Sequence, residues 1–189
     1  MVRLINKDRK YLMNEVMNIL AEADLLKQKE VKDVYDLLEE VCDPEVPVLS
    51  ILDLGIVRDV IVTPSAEDND RDVTVTITPT YSGCPAMDMI AMNIRMQLLS
   101  HGYKNIKIIS VLSPAWTTEW MTEKGKSKLK EYGIAAPHLL KDDSDLHAVE
   151  CPQCNSRDTK LLSQFGSTAC KALYQCISCK EPFDYFKCH

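Results

Sequence analysis

Six of the eight cysteines in this 189-residue chain fall after residue 150. Four of them form two CxxC pairs, Cys151-Pro-Gln-Cys154 and Cys176-Ile-Ser-Cys179, with 21 residues between the pairs. Two short turns of this kind can place four thiolates at the corners of a tetrahedron, a geometry that Zn²⁺ accepts with no open coordination position. A tail this small has little apolar core of its own, so the metal would supply much of its folding free energy. Iron or an iron–sulfur cluster also suits four cysteines and stays as the alternative. Cys170, Cys188 and His189 remain in the tail. They read either as a packed cysteine and a polar end, or as a second, open metal site.

The remaining chemistry lies in the first 150 residues. Cys84 follows an alternating strand pattern and precedes Pro85, a good first-turn helix residue. A thiol at a helix N-terminus feels the positive end of the dipole, so its pKa is expected to fall. Cys84 thus reads as a reactive or metal-binding thiol, with a packed structural cysteine as the alternative. Gly83 beside it would admit a close backbone or ligand approach. Asp43 and Glu45 flank Pro44 on a loop and could assist such a thiol, although loop acids are more often simply solvated; Asp53 reads the same way. Cys42 beside Val41 is expected in the core. Trp116 and Trp120 fit either the core or a partner surface.

Several enzyme motifs fail. Gly125-Lys126-Ser127 looks like the end of a phosphate-binding loop, but Trp120 stands where the first glycine belongs and no strand leads into it. No HExxH, GxSxG or GxGxxG occurs, nor the paired Glu-x-x-His motifs of a di-iron bundle. The net charge is −6, with −8 on residues 1–150 and +2 on residues 151–189. Four thiolates around Zn²⁺ would neutralise the tail, so nucleic acid is not an expected partner. No apolar run is long enough to span a bilayer, so no membrane partner is expected, and the N-terminus lacks the apolar core of a secretory signal. The expected location is the reducing cytoplasm, where cysteines serve metals more often than disulfides.

The elements that must position these residues follow from periodicity. Leu12, Val16, Ile19, Leu20, Ala23 and Leu26 have helical spacing, and so do Val31, Val34, Tyr35, Leu38 and Val41. This predicts two helices with a break near Lys27 to Glu30, the second stopped by Asp43-Pro44. Strands are predicted at Ile56–Thr63, Val73–Thr78 and Ile106–Leu112, and helices from Pro85 and over Glu123–Tyr132. Thr122 is the expected N-cap of the last helix and Gly133 its C′ residue. The expected fold is α+β: a small mixed sheet covered by helices, followed by a zinc-ribbon-like β domain. The expected divisions are an N-terminal helical extension (1–30), an α+β domain (31–135), a linker (136–150) and a four-cysteine ribbon (151–189). Loss of one ribbon cysteine is expected to unfold the tail and spare the body.

Asp-Pro-Glu-Val-Pro (43–47), Leu-Asp-Leu-Gly-Ile-Val (52–57) and Thr-Pro-Thr-Tyr-Ser-Gly-Cys-Pro (78–85), in this order, resemble the domain shared by SufT-like proteins and cytosolic iron–sulfur targeting factors. Ser-Pro-Ala-Trp-Thr-Thr-Glu-Trp (113–120) and the segment from Gly166 to His189 narrow the resemblance to the PaaD family, small proteins encoded with the phenylacetyl-CoA epoxidase subunits. The resemblance implies an accessory role in aerobic phenylacetate degradation and no catalytic residues for the epoxidation. The implied role is maturation of an iron–sulfur or iron centre, chiefly that of the reductase subunit, which carries flavin and a [2Fe–2S] cluster. Cys84 matches the family's characteristic cysteine, and Asp43 and Glu45 match its acidic loop. These three are the expected cofactor-binding residues, with iron or a cluster held transiently and Zn²⁺ held structurally. One thiolate cannot hold a cluster alone, so a homodimer pairing two Cys84 residues, or ligands lent by the client, is implied. The competing reading is a non-catalytic structural adaptor of the epoxidase complex.

Overall fold

The computed structural model describes residues 2–65, 70–137 and 149–187. The predicted linker lies largely within 138–148, outside the described residues, as do Cys188 and His189. The chain opens with one continuous helix, α1 (Val2–Leu38). The predicted break is absent because Lys27, Gln28, Lys29 and Glu30 are all good helix formers, and a lapse in apolar spacing does not stop a helix. Among the described side chains of α1, Val34 and Leu38 near its end are fully buried in the core, while Leu20, Leu25 and Leu26 are exposed. No helix among the described residues is long and apolar enough to cross a membrane.

Strands β1 (Val57–Pro64), β2 (Arg71–Ile77) and β3 (Asn105–Ser110) form a mixed sheet in that order, β1 antiparallel and β3 parallel to β2. The alternation in β2 works as expected: Val73, Val75 and Ile77 are buried, and Thr74 and Thr76 occupy the other face. Helix α2 (Ala86–Ser100) lays Ile90, Ile94 and Leu98 into the same core as Val34 and Leu38 of α1. A 3₁₀ turn (Thr118–Trp120) and helix α3 (Glu123–Glu131) follow, then a two-residue strand β4 (Ile134–Ala135). Strands β5 (Thr159–Ser163), β6 (Lys171–Cys176) and β7 (Pro182–Phe186) form the ribbon.

β4 was not foreseen, and it joins the two parts of the molecule. It pairs in parallel with β7, giving a second sheet in the order β4-β7-β6-β5. Apolar packing reinforces the seam, because Cys170 and Phe186 of the ribbon belong to the body's core cluster. Phe186 meets Trp116 edge-on at 6.2 Å, and the Trp116 indole N–H donates to the Leu54 carbonyl at 2.9 Å. Trp116 is therefore a core residue. Trp120 is half-buried under Arg58, whose guanidinium carbon lies 3.4 Å from the ring centroid.

Asp53 corrects the expectation of a solvated loop acid. It is 2% exposed and clasps α3 to the loop before β1. Lys128 Nζ donates to Oδ2 at 2.5 Å and Thr122 Oγ1 donates to Oδ1 at 2.9 Å. Thr122 caps α3, its hydroxyl accepting from the Gly125 N–H at 2.9 Å. Gly125 is needed for the same approach, since a Cβ there would lie 2.9 Å from the Asp53 carbonyl oxygen. The stretch resembling a phosphate loop is thus a close helix-to-loop contact. Gly55 is required twice over: its φ is +67°, and a Cβ would meet the Trp120 carbonyl oxygen at 2.1 Å.

Two outcomes follow from this packing. Desolvation raises the Asp53 pKa, but the Lys128 and Thr122 hydrogen bonds outweigh it and leave the carboxyl below its usual value. Its stabilisation is therefore present above the unfolded carboxyl pKa of about 3.9 and is lost as pH falls through the lower folded value. Asp53→Asn should cost about 1–3 kcal/mol at pH 7 in urea unfolding, a difference that shrinks below about pH 4. Phe186 and Cys170 in the body's core also change the expected effect of losing the ribbon. Removing its metal with a chelator should lower the melting temperature of the body, read by Trp116 fluorescence, rather than spare it. Phe186→Ala should do the same at a cost of about 3 kcal/mol.

Candidate functional site

The ribbon cysteines form a closed group. The ligand atoms of Cys151, Cys154, Cys176 and Cys179 all lie within 4.8 Å of one another. The Cys151–Cys179 and Cys154–Cys176 sulfur pairs are 3.7 and 3.6 Å apart. Bonds of about 2.3 Å to a tetrahedral Zn²⁺ require an edge of about 3.8 Å, so the donor set fits that ion. The two turns are built alike. Asn155 (φ 59°) and Lys180 (φ 69°) take the left-handed conformation after each second cysteine. Their N–H groups donate to the Cys151 and Cys176 carbonyls at 2.9 and 3.1 Å. The Cys179 N–H donates to Cys176 Sγ at 3.4 Å, and backbone donors bring that thiol down to about 6. Four protein ligands fill the coordination shell, so the arrangement suits a structural metal and leaves no position for a substrate.

A second constellation lies where the body meets the ribbon. It starts in the loop 43–47. The Asp43 carboxylate accepts the Glu45 and Val46 N–H groups at 2.7 and 2.8 Å, which shapes the loop and aims Glu45. Burial nevertheless pushes the Asp43 carboxyl above its usual range. Cys84 sits half-buried just before α2, and the Tyr81 hydroxyl hydrogen-bonds its thiol. The predicted fall in the Cys84 pKa does not occur. Burial pushes it up, the Ala86 N–H and Tyr81 pull it down, and the facing charges of Glu45 and Asp43 push it up again. A helix end cannot outweigh desolvation combined with two carboxylates.

From the ribbon side, Cys170 closes the constellation. It is 5% exposed and donates its S–H to Glu45 Oε2 at 3.4 Å, with Thr168 Oγ1 3.0 Å from the sulfur. Burial, with Glu45 adding to it, pushes the Cys170 thiol up to about 11. Tyr81 is pushed up to about 12, first by burial and then by Cys84, Glu45 and Cys170 together. Lys171, 4% exposed, contributes positive charge that acts on both Asp43 and Cys170, and its ammonium lies 3.9 Å from Asp184.

The structure thus brings Cys84, Asp43 and Glu45 together as the sequence reading grouped them, and adds Cys170. It offers no view of the predicted grouping of Cys170 with Cys188 and His189, because the last two lie outside the described residues. Tyr81 and Lys171 were missed. Tyr81 lies inside the motif that singled out Cys84, but the link between Glu45 and Cys170 spans 125 positions and no local spacing shows it. Cys42 is exposed, contrary to expectation. It pairs with Ser50 in an isolated bridge while its neighbour Val41 faces the core. Gly83 makes no tight approach, since a Cβ there would meet only the Tyr81 ring at 3.8 Å.

Glu45 should govern the nucleophilicity of Cys84. Replacing it by Gln removes a facing negative charge and lowers the thiol pKa. Site-resolved alkylation by iodoacetamide at pH 7.5 should therefore be roughly two- to tenfold faster at Cys84 in Glu45→Gln than in the wild type.

The constellation spans two recognised families. Residues 31–107 match the family described as iron–sulfur cluster assembly protein, and residues 135–187 match the PaaD zinc β-ribbon domain. The chain is 47% identical over 160 residues to a putative 1,2-phenylacetyl-CoA epoxidase subunit of Escherichia coli, covering 84% of this chain and 93% of the relative. It is 37% identical over 99 residues to an Fe–S protein maturation auxiliary factor of Porphyromonas gingivalis, covering 52% of this chain and 89% of that protein. Among solved structures, a DUF59 domain from Bacillus anthracis superposes with a TM-score of 0.50 at 28% identity, over 56% of this chain and 96% of that one. With an iron–sulfur assembly domain, a PaaD-type zinc ribbon and a relative of this identity along most of its length, the chain belongs to the PaaD family.

Proposed function

We propose that this protein is a non-enzymatic accessory factor in iron–sulfur maturation that serves a phenylacetyl-CoA epoxidase system, with the reductase subunit as client and Cys84 as the residue that handles the cargo. The observation that carries this reading is the half-buried Cys84 thiol on the loop before α2, hydrogen-bonded by Tyr81 and faced by Asp43 and Glu45. The assembly-domain match and the auxiliary-factor relative support the maturation role. The E. coli relative supports the epoxidase system.

The geometry supports a division of roles. Cys84 binds the iron of an arriving metal ion or cluster as thiolate and releases it by ligand exchange. Glu45, whose charge acts on the thiol, joins it as an oxygen ligand by giving up its hydrogen bond from Cys170. Asp43 is a positioning residue, because its oxygen is engaged by two backbone N–H groups. The protonated resting state of Cys84 suits a carrier: the thiol gives up its proton only when a metal competes for the sulfur. The four ribbon cysteines hold structural Zn²⁺ and keep the ribbon rigid as a docking module for the client. One thiolate leaves most of the coordination shell unfilled, so further ligands come from the client or from Cys84 of a second copy.

The relative's designation as a subunit favours one competing reading, a structural adaptor that stays bound to the epoxidase without handling iron. Metal and acid-labile sulfide per chain, measured on anaerobically purified wild type and Cys84→Ser, separate the two. The carrier is expected to hold iron beyond the ribbon metal, lost in Cys84→Ser. Cys84→Ser should also fail to restore reductase activity in a strain lacking the protein. Full restoration by that variant would refute the carrier reading and leave the adaptor.

A further inference from the structure

Four ribbon cysteines already complete a closed metal group, so Cys170 is surplus to the ribbon's own needs. It is nevertheless buried at the seam, and its S–H donates to Glu45 of the body, while the Thr168 hydroxyl of the ribbon lies 3.0 Å from the same sulfur. Glu45 in turn faces Cys84, and Tyr81 is influenced by Cys84, Glu45 and Cys170 together. Two thiols and a carboxylate, drawn from both parts of the molecule, thus converge on one tyrosine.

We propose that Cys84, Glu45 and Cys170 form a composite three-ligand site within a single chain, which accepts one first-row divalent metal ion, or one iron of a cluster, and leaves its fourth position open. The inference rests on the carrier reading above and changes its ligand set, since the ribbon rather than a second copy supplies the second thiolate. Sulfur and carboxylate donors suit Fe²⁺, Co²⁺ and Zn²⁺. Three protein ligands with an open position describe a site built to exchange its cargo, in contrast to the closed ribbon.

The three atoms are not gathered for coordination in the structure: among the described residues, only the ribbon cysteines meet as a group of three or more metal-binding side chains within 4.8 Å. Metal entry therefore replaces the Cys170–Glu45 hydrogen bond with two metal–ligand bonds. The Cys84 and Cys170 thiols release one proton each to solvent, the metal sheds water, and no electron moves. Two thiolates and a carboxylate around a divalent ion leave one net negative charge. The buried Lys171 ammonium, already acting on Cys170 and Asp43, offsets it. Among the described residues, Asp43 and Asp184 also bring charge to this seam, the first held by backbone N–H groups and the second beside Lys171.

The test uses the full chain with its ribbon loaded with Zn²⁺ and titrates Co²⁺ anaerobically. The wild type should take up one further Co²⁺ with a thiolate-to-cobalt charge-transfer band. The band should fall by about half in Cys84→Ser and in Cys170→Ser, with affinity weakened at least tenfold in each, and should vanish in the double variant. Glu45→Gln should keep the band and weaken binding. Far-UV circular dichroism and one Zn²⁺ per chain verify folding, and Cys170→Ala supplies a second, more apolar replacement. Cobalt-edge X-ray absorption on the wild type needs no variant and should find two sulfur ligands at about 2.3 Å, the Zn–S length carried over to cobalt. One sulfur, or a Cys170→Ser variant that titrates like the wild type, would overturn the composite site while leaving the Cys84 carrier standing. A wild type that takes up no Co²⁺ beside its ribbon Zn²⁺ would also overturn it, and the reading of Cys84 would then be decided separately by complementation.

Discussion

Phe186 set edge-on against Trp116 is the contact on which the arrangement of the two halves rests. It does not act alone. Asp53, paired with Lys128 and Thr122, fixes α3 on the body. Gly133, at φ +88°, ends that helix and sends the chain into β4, which pairs with β7. β7 carries Phe186 to Trp116, and the chain entering the neighbouring strand β6 carries Cys170 to Glu45. A buried acid in the body thus helps determine, through one helix and one short strand, which residues of the ribbon face the body's thiol.

The two cysteine environments differ in how their sulfurs are gathered. In the ribbon the sulfurs act on one another: backbone N–H donors bring Cys176 down to about 6, while Cys179, against the Glu181 backbone donor, is pushed up to about 12 by burial and the neighbouring sulfurs. At the seam, burial and facing carboxylates favour the protonated thiols of Cys84 and Cys170. The first arrangement gathers four donors within 4.8 Å of one another, which one ion can fill. At the second, a metal would have to displace a proton from each sulfur. Both follow from what surrounds the sulfur, since the side chain is the same.

Much of the fold was legible because its determinants are local. The alternation in β2, the caps of α3 and the CxxC turns are written within a few residues of one another, and each appears where the pattern placed it. The continuity of α1 was misread because apolar spacing was weighed above helix propensity at residues 27–30. Asp53 and Cys42 were misread because burial depends on what packs opposite, Thr122 and Lys128 in one case and solvent in the other. Of the candidate site, Cys84, Asp43 and Glu45 could be grouped through their motifs. The link from Glu45 to Cys170 could not, because it depends on a parallel pairing between a two-residue strand and the end of the chain.

That pairing has a consequence for the intervening chain. The segment from residue 136 to residue 148 has both ends anchored, one at β4 and the other at Val149, which is fully buried in the ribbon core. The pairing of Ala135 with Tyr185 and the burial of Val149 each hold their end of the chain in place. The register at the seam is set by the anchors rather than by the number of residues between them. Ala135 and Val149 thus act as two clamps on the seam, one on each side of the chain that connects body to ribbon.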